Sequence, residues 1–348
     1  MDLERRAKAC DARRGRNALR SPDRQETVDY RMRLELVVLA PRLLAQSDEA
    51  LAACRPLASL ARYARGVSTF RDVYAALFAT LGLPQDTPIA PLALLGSGGD
   101  PADDFVLCAQ PAHLEAGPGH ALDIETVSDL APAEIDILIQ MLDRHFAGDD
   151  LRFDAVRAGE WFARRSRESD VTMTSPDAAR GRPLAQSVAQ GADAAQWKRW
   201  QDEIGMLLHD HPVNQAREAS GKALVNAVWL FGGGRLRNVR GAPPLSLATS
   251  TPASTYLGDL AQGLVRVGDS AAASSTFTVA IAGEGDETRA LDDALARLER
   301  NNVAVVHLVA AGRSGALAWT ASAPGLWRRI VARATPHRLA LPPHAGPV

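Results

Sequence analysis

The residues best suited to chemistry form a glycine turn and the polar segment before it. Gly232, Gly233 and Gly234 directly follow the apolar run Asn226–Phe231, which predicts a buried strand. In an open α/β sheet, ligands bind beyond the carboxyl ends of strands, where glycine lets the backbone approach them closely. We therefore predict a ligand-binding turn here, with a tight glycine turn that binds nothing as the alternative.

The side chains near this turn are those that recognise anions. Guanidinium groups and backbone N–H groups suit phosphate or carboxylate, and a second glycine turn at Gly96–Asp100 is expected to join the first at one sheet edge. The predicted ligand-binding residues are His211, Asn214, Arg217, Asn226, Gly232, Gly233, Gly234, Arg235, Gly98, Gly99 and Asp100.

Three acidic residues lie close together after the second glycine turn. Asp100, Asp103 and Asp104 carry the oxygen ligands that Mg²⁺ or Ca²⁺ prefers. The spacing is not that of an EF-hand, and a solvated turn with Asp103 or Asp104 capping is the interpretation that we favour. We therefore predict no metal site.

Other motifs of catalysis are missing from the sequence. Ser97 lies in GSGGD, which is not the G-x-S-x-G elbow, and neither glycine turn matches a P-loop or a dinucleotide fingerprint. His209 and His211 are two residues apart, whereas a helical metal pair needs a spacing of four. Nucleotide hydrolysis and dinucleotide binding are therefore unsupported.

The segment HPVNQAREASGKALVNAVWLFGGG resembles the archaeal-type cofactor-independent phosphoglycerate mutases. These carry His-Pro-x-Asn, an Arg, a Gly and Ala-Asn before a strand that ends in Gly-x-Gly. With the GGDP-x-DD stretch at 98–104, the chain more closely resembles a bacterial family called regulatory proteins of RpfE type, over most of its length after Met32. The matching positions are His211, Pro212, Asn214, Arg217, Gly221, Asn226, Trp229, Gly232 and Gly234.

The mutases belong to the alkaline phosphatase superfamily, so the resemblance implies a two-metal site of Asp and His ligands with a serine nucleophile. That site needs an Asp after the first strand, where this chain reads Leu39-Ala-Pro-Arg42. It also needs an Asp and a His after the late strand, where residues 310–315 supply neither. The resemblance therefore implies a phosphoglycerate-mutase-like regulatory or binding protein without the two-metal site, and without a cofactor.

Enzymatic activity is left open at this point, with a non-enzyme favoured. The alternative is a divergent cofactor-independent phosphoglycerate mutase or a metal-dependent phosphatase. It would use Mn²⁺ or Mg²⁺ with Asp100, Asp103, Asp104 and His211.

Hydrophobic periodicity predicts the elements that position these residues. Trp197, Trp200 and Ile204 recur at helical spacing, with Asp193 as the predicted N-cap. The other predicted helices cover about 48–64, 69–82, 132–146, 213–220, 256–267, 287–300 and 323–333. The predicted strands cover 34–39, 89–95, 105–114, 121–127, 226–231, 277–282, 303–309 and 316–321, with a hairpin over 151–164.

Strands alternating with helices predict an α/β fold. We expect three layers, with a mainly parallel sheet, helices on both faces and an inserted smaller α+β lobe, as in the alkaline phosphatase and phosphoglycerate mutase folds. The predicted domains are a disordered basic extension (1–31), an α/β core (32–99 and 222–335), the inserted lobe with the long helix (100–221) and a flexible tail (336–348). Met32 is a candidate for the true start.

Bulk properties exclude several classes of function. The formal net charge of −2 offers no basic field for nucleic acid. No apolar run approaches the ~20 residues of a membrane helix, and no apolar stretch of a signal peptide follows the start. The sparse cysteines, Cys10, Cys54 and Cys108, suit a cytoplasmic protein. The expected partners are a small phosphorylated ligand or an unidentified protein.

Overall fold

The computed structural model describes residues 33–45, 48–117, 121–184, 187, 189–248, 256–268, 275–283, 285–312 and 315–322. The predictions for residues 1–31, 323–333 and 336–348 lie outside these ranges. No helix within the described ranges combines the length and the apolar character needed to cross a membrane.

The first sheet has six strands in the order β2-β11-β10-β1-β9-β8. Strand β1 lies at its centre and pairs in parallel with β9 and β10, and β8 pairs in parallel with β9. Strand β11 is antiparallel to both β10 and β2. The strands are β1 (Arg33–Ala40), β2 (Ala64–Phe70), β8 (Leu245–Leu247), β9 (Ser275–Ile281), β10 (Val305–Gly312) and β11 (Gly315–Ser322).

The second sheet has five strands, and all of their pairings are antiparallel. The long strand β3 pairs with β4 and β6 along different parts of its length and also with β7. The strands are β3 (Phe105–Ala116), β4 (Leu122–Thr126), β5 (Arg152–Arg157), β6 (Glu160–Arg165) and β7 (Ala227–Gly234).

Helices cover both faces of both sheets. They are α1 (Asp48–Ala53), α2 (Arg55–Tyr63), α3 (Val73–Thr80), α4 (Ala90–Gly96), α5 (Pro132–Phe146), α6 (Pro176–Ala179), α7 (Ala194–His209), α8 (Pro212–Ala219), α9 (Tyr256–Val267) and α10 (Glu287–Glu299).

Successive side chains of a strand point to opposite faces of its sheet, so the apolar residues of one strand contribute to two different cores. In β1, Leu36 and Val38 face a core shared with α2 and α10, whereas Val37 and Leu39 face α3, α4 and α9. The core around these last helices also takes one face of the second sheet, so the helices lie between the two sheets. The other face of the second sheet packs on α5 and α7.

Glycine brings α4 and α9 unusually close together. A Cβ at Gly263 would lie 2.0 Å from the carbonyl oxygen of Leu92, and one at Gly96 would lie 1.8 Å from that of Asp259. No larger residue fits at either position without moving backbone. This contact fixes α9, which carries Asp259, against the helix layer between the sheets.

Several predicted elements are confirmed. Helix α5 has the predicted bounds, begins with Pro132 and is held by Glu134, whose Oε2 accepts from the N–H of Ala131 at 2.7 Å. The mixed α/β class is also confirmed. Asp193 occupies the N-cap position of α7, but its carboxylate accepts from Ser169 and the N–H of Asp170 instead of from the helix.

Other predictions were wrong. The strand predicted over 89–95 is instead helix α4 (Ala90–Gly96) with Ile89 as its N-cap. The prediction failed because periodicity does not distinguish a strand from a buried helix in so short an apolar run. Strand β2 was missed, since its polar sequence ARGVSTF shows no buried face. The sheets are also partly antiparallel: the parallel pairs are confined to β1, β8, β9 and β10.

Candidate functional site

Polar side chains gather at the carboxyl edge of the first sheet. Strand β2 runs in the same direction as β1 and β10, because it is antiparallel to β11, which is antiparallel to β10. Arg42 therefore follows β1 at the same edge where Arg71 and Asp72 follow β2. In open α/β sheets this is the edge where ligands bind.

A hydroxyl–carboxylate pair lies at this edge of the sheet, just after the end of β2. The Oγ of Ser175 donates to Oδ2 of Asp72 at 2.9 Å, and Oδ1 of Asp72 accepts from the N–H of Ala75 at 2.8 Å. Asp72 is thus the N-cap of α3 and at the same time a hydrogen-bond acceptor for Ser175. The two side chains are both buried, and they join the first sheet to the segment that follows β6.

Three arginines lie near Asp72 and the neighbouring acid Asp177. Arg71 Nε lies 3.7 Å from Asp72 Oδ2, and its side chain is more than half exposed. Arg180 contacts Asp177 at 3.3 Å. The carboxylate of Asp177 also interacts electrostatically with Asp72 and Arg42. We call Arg42, Arg71, Asp72, Ser175, Asp177 and Arg180 the edge cluster.

Tyr74 lies behind the edge cluster and extends it into the core. Burial raises the pKa of Tyr74 well above its ordinary value, and the charges of Asp177 and Asp72 raise it further. Cys108 and Glu160 also act electrostatically on Tyr74. Burial likewise raises the pKa of the Cys108 thiol, so Cys108 stays neutral. It is therefore a core residue and a poor nucleophile.

A second buried ionic group lies between β6 and α9, and we call it the acid pair. Glu160 and Asp259 are both buried, and Arg157 contacts both carboxylates, reaching Asp259 Oδ2 at 2.7 Å. Burial raises the pKa of Glu160 to about 7; Arg157 opposes the shift and Asp259 adds to it. Two buried carboxylates beside a single guanidinium are most stable when one of the two carboxylates is protonated.

Tyr256 completes the surroundings of the acid pair. Its hydroxyl donates to the carbonyl oxygen of Trp161 at 2.6 Å and accepts from the N–H of the same residue at 2.8 Å. Burial raises the pKa of Tyr256 well above its ordinary value, and Cys108 and Glu160 raise it further. The Tyr256 hydroxyl is therefore a neutral structural group.

The residues predicted from the sequence lie mostly elsewhere, and several support backbone. The amide of Asn214 bridges α7 and the chain before β7: Nδ2 donates to the carbonyl oxygens of Leu208 and Val225, and Oδ1 accepts from the N–H of Val225. Asn226 similarly bonds both backbone groups of Leu114.

Arg217 is fully buried. Its Nε donates to the carbonyl oxygen of Ala223 at 2.7 Å, and its terminal nitrogens contact Asp129 and Glu134. All three nitrogens of the guanidinium therefore have partners within the chain. We call Asn214, Arg217 and Asn226 the motif cluster.

The glycine turn packs against protein. Strand β7 pairs with β3, so the turn does not end a strand of the parallel sheet, contrary to the prediction from the sequence. Gly232 has a φ of +66°, and a Cβ there would lie 2.7 Å from Cβ of Ile89. A Cβ at Gly234 would lie 2.6 Å from Pro88. These glycines make room for the segment that begins α4.

The second predicted turn follows α4, and its acids are engaged in ion pairs. Oδ1 of Asp100 accepts from the N–H of Ala102, and Asp104 Oδ2 contacts Arg164 at 2.8 Å. Asp103 contacts Arg237 and lies 3.8 Å from Arg235. Gly98 has a φ of +99° and open space around it, whereas a Cβ at Gly99 would lie 2.4 Å from Leu94.

The guanidinium of Arg235 also has partners within the chain. Its Nε lies 2.6 Å from Glu168, and a terminal nitrogen donates to the carbonyl oxygen of Ser166.

No group of three or more His, Cys, Asp or Glu residues suited to a metal ion occurs in the described ranges.

His211 lies apart from the other predicted residues. It caps α8, with Nδ1 accepting from the N–H of Val213 at 3.2 Å. It lines an open groove of about 650 Å³ between α5 and α7, together with Met141, Arg144 and Leu207. Burial lowers the pKa of His211, so the ring favours its neutral form at neutral pH.

Comparisons with known proteins give few matches. No protein-family profile matches this chain, and no curated protein does. One similar solved structure is a cofactor-independent phosphoglycerate mutase from Thermoplasma acidophilum, with 14% identity, a TM-score of 0.38 and coverage of 85% of this chain and 91% of that one. Another is the PH0037 protein from Pyrococcus horikoshii, with 13% identity, a TM-score of 0.42 and coverage of 84% and 88%.

The edge cluster was missed by sequence reasoning. Asp72 stands directly before the helical run VYAALFAT, so an N-cap signal was available. Ser175 and Asp177 lie in a stretch that reads as a surface loop, about a hundred residues further along the chain. Only tertiary structure brings these segments together.

Proposed function

We propose that this protein is a phosphoglycerate-mutase-like binding or regulatory protein that takes a small anionic ligand, a phosphate ester in particular, at the edge cluster. The observation that carries the proposal is that Arg71 lies beside Asp72, and Arg42 and Arg180 lie beside Asp177, next to the Asp72–Ser175 pair at the carboxyl edge of the first sheet. Guanidinium groups bind phosphate oxygens through charge-assisted hydrogen bonds.

The partial exposure of these arginines supports a ligand role. The side chains of Arg71 and Arg180 expose 56% and 47% of their surface. Arg71 already donates to the carbonyl oxygen of Gln85 and Arg180 to that of Ile124, so each has a fixed anchor and further N–H groups. A fixed guanidinium loses less conformational entropy when an anion binds.

The test is calorimetric titration of the full chain with 3-phosphoglycerate and with inorganic phosphate, each with and without Mn²⁺ or Mg²⁺. We expect binding without metal and a loss of at least about tenfold in affinity for Arg71→Ala, which is about 1.4 kcal/mol. Arg300→Ala is the matched control, because Arg300 is an exposed arginine after α10, at the opposite edge of the same sheet. Equal losses in both variants, or no binding by the wild type, would contradict the proposal.

The second candidate function is transfer or hydrolysis of a phosphate ester with Ser175 as the nucleophile, as in a divergent mutase or phosphatase. The observation favouring it is the 2.9 Å bond from the Ser175 hydroxyl to Asp72, which has the arrangement of a nucleophile and its base. Ser175 is only 3% exposed, which favours binding over attack.

The two functions separate in an assay of p-nitrophenyl phosphate hydrolysis with Mn²⁺ or Mg²⁺. A metal-dependent rate that Ser175→Ala abolishes and the exposed control Ser220→Ala leaves unchanged would establish the enzyme. Binding of the phosphate ester without any such hydrolysis would support the binding protein over the enzyme. The alternative site of Asp100, Asp103, Asp104 and His211 receives no support, because Asp103 and Asp104 are paired with Arg237 and Arg164, whereas His211 caps α8 in the groove between α5 and α7.

A further inference from the structure

Strand β2 is the outermost described strand at one edge of the first sheet. Among the described strands it pairs only with β11, and residues 65–69 are all exposed. An edge strand presents a row of unpaired N–H and C=O groups, which is a template for another strand. This edge is therefore a place where a further strand can add.

An apolar row of side chains runs from the core to this edge. Val38 pairs with Leu308, Leu308 with Trp319, and Trp319 with Val67. Directly opposed residues present their side chains on the same face of a sheet. The first three residues are buried, but Val67 is 43% exposed and is one of the few exposed large apolar residues. The row therefore ends in solvent at Val67.

The sequence of β2 is compatible with pairing to itself. In an antiparallel pairing centred on Val67, Arg65 would face Thr69 of a second copy, and Gly66 would face Ser68. Arg65 is the only charged residue of the strand, so no like charges are opposed. The strand also contains no proline, which would interrupt the new ladder.

We propose that β2 pairs antiparallel with β2 of a second copy of this chain, about a two-fold axis through Val67. The two Val67 side chains then meet on the axis, and the apolar row continues from one copy into the other. Such a contact is isologous, as in most homodimers. One strand pair buries less than the ~1,600 Å² of a standard interface, so we expect a weak dimer that forms only at high protein concentration.

Disulfide trapping tests the register. Val67→Cys is placed in a Cys10→Ser chain, where Cys54 and Cys108 are buried. Opposed residues of antiparallel strands have Cα atoms about 4.5–5.5 Å apart, which a disulfide spans. Ser68→Cys in the same background is the matched control, since its equivalent in the second copy lies diagonally at about 7–8 Å.

We expect the Val67→Cys variant to form a covalent dimer on oxidation at least about tenfold faster than the Ser68→Cys variant, because only the thiol at position 67 meets its equivalent within disulfide range. Equal rates at the two positions would indicate random collision and overturn the proposal. Absence of a covalent dimer of the Val67→Cys variant would also overturn it.

Sedimentation velocity of the full chain over a wide concentration range gives the second test. The wild type is expected to shift from monomer to dimer, and Val67→Lys to remain monomeric, because two ammonium groups would meet on the axis. An unchanged melting temperature would show that Val67→Lys still folds. A wild type that stays monomeric, or a dimer that persists in Val67→Lys, would contradict pairing through β2.

Discussion

The motif cluster and the edge cluster use their hydrogen-bonding groups differently. In the motif cluster, the guanidinium of Arg217 and the amides of Asn214 and Asn226 are occupied by backbone and by two carboxylates. In the edge cluster, the side chains of Arg71 and Arg180 are about half exposed, and we propose that they bind a ligand. A residue that is recognisable in the sequence can therefore serve the fold.

The largest expected effect on stability is that of Arg217→Ala. The change leaves the partly buried Glu134 without its partner and an uncompensated carbonyl at Ala223, so we expect a loss of about 3 kcal/mol in the free energy of unfolding. Urea denaturation measures it. Arg199→Ala is the control, because the exposed pair of Arg199 with Glu203 contributes only about 0.3–0.5 kcal/mol. Similar losses in the two variants would remove the distinction between the clusters.

A somewhat smaller loss is expected for Gly232→Ala. The new Cβ would meet Ile89 at 2.7 Å with φ at +66°, so we expect destabilisation of about 2 kcal/mol. The control is Gly205→Ala within α7, where the nearest atom lies 3.9 Å away and alanine should stabilise the helix by about 0.5–1 kcal/mol. Full stability of Gly232→Ala, combined with loss of phosphate ester binding, would return the ligand site to the glycine turn.

The acid pair is intermediate, since it is buried but exchanges a proton near neutrality. The pKa of Glu160 is raised to about 7 in the fold, so the folded state binds the proton more tightly than the unfolded state. Stability from this group is fully present below the unfolded pKa near 4.5 and is lost as pH rises through about 7.

We expect the free energy of unfolding to fall by the order of 1–3 kcal/mol from this group between pH 5 and pH 8. Glu160→Gln should flatten that slope, because its amide keeps the neutral form at every pH. Denaturation at a series of pH values gives the slope. An identical slope in wild type and variant would show that another group titrates.

The smallest effect on stability is expected for Arg71→Ala. Arg71 is more than half exposed and its contact with Asp72 is long, so we expect a change of less than about 0.5 kcal/mol in the free energy of unfolding. The same variant should lose most of its affinity for phosphate esters. A large loss of stability in thermal denaturation would show that Arg71 has a structural role, like the residues of the motif cluster.

The sequence itself determined the elements with strong periodicity. Helix α5 was predicted over about 132–146 from Pro132 and its apolar stripe, and α7 from Trp197, Trp200 and Ile204. A helix that buries one face must repeat apolar residues at its own period. The strand β3 and the hairpin of β5 and β6 were likewise evident.

Tertiary structure alone decided which polar groups meet. The bond between Asp72 and Ser175 joins residues 103 positions apart, and the acid pair joins β6 to α9. The pairing of β7 with β3 instead of with the parallel sheet also has no local signal. The periodicity of apolar residues indicates which face of a helix or strand is buried. Which other element that face packs against depends on the packing of the whole chain, and no single segment determines it.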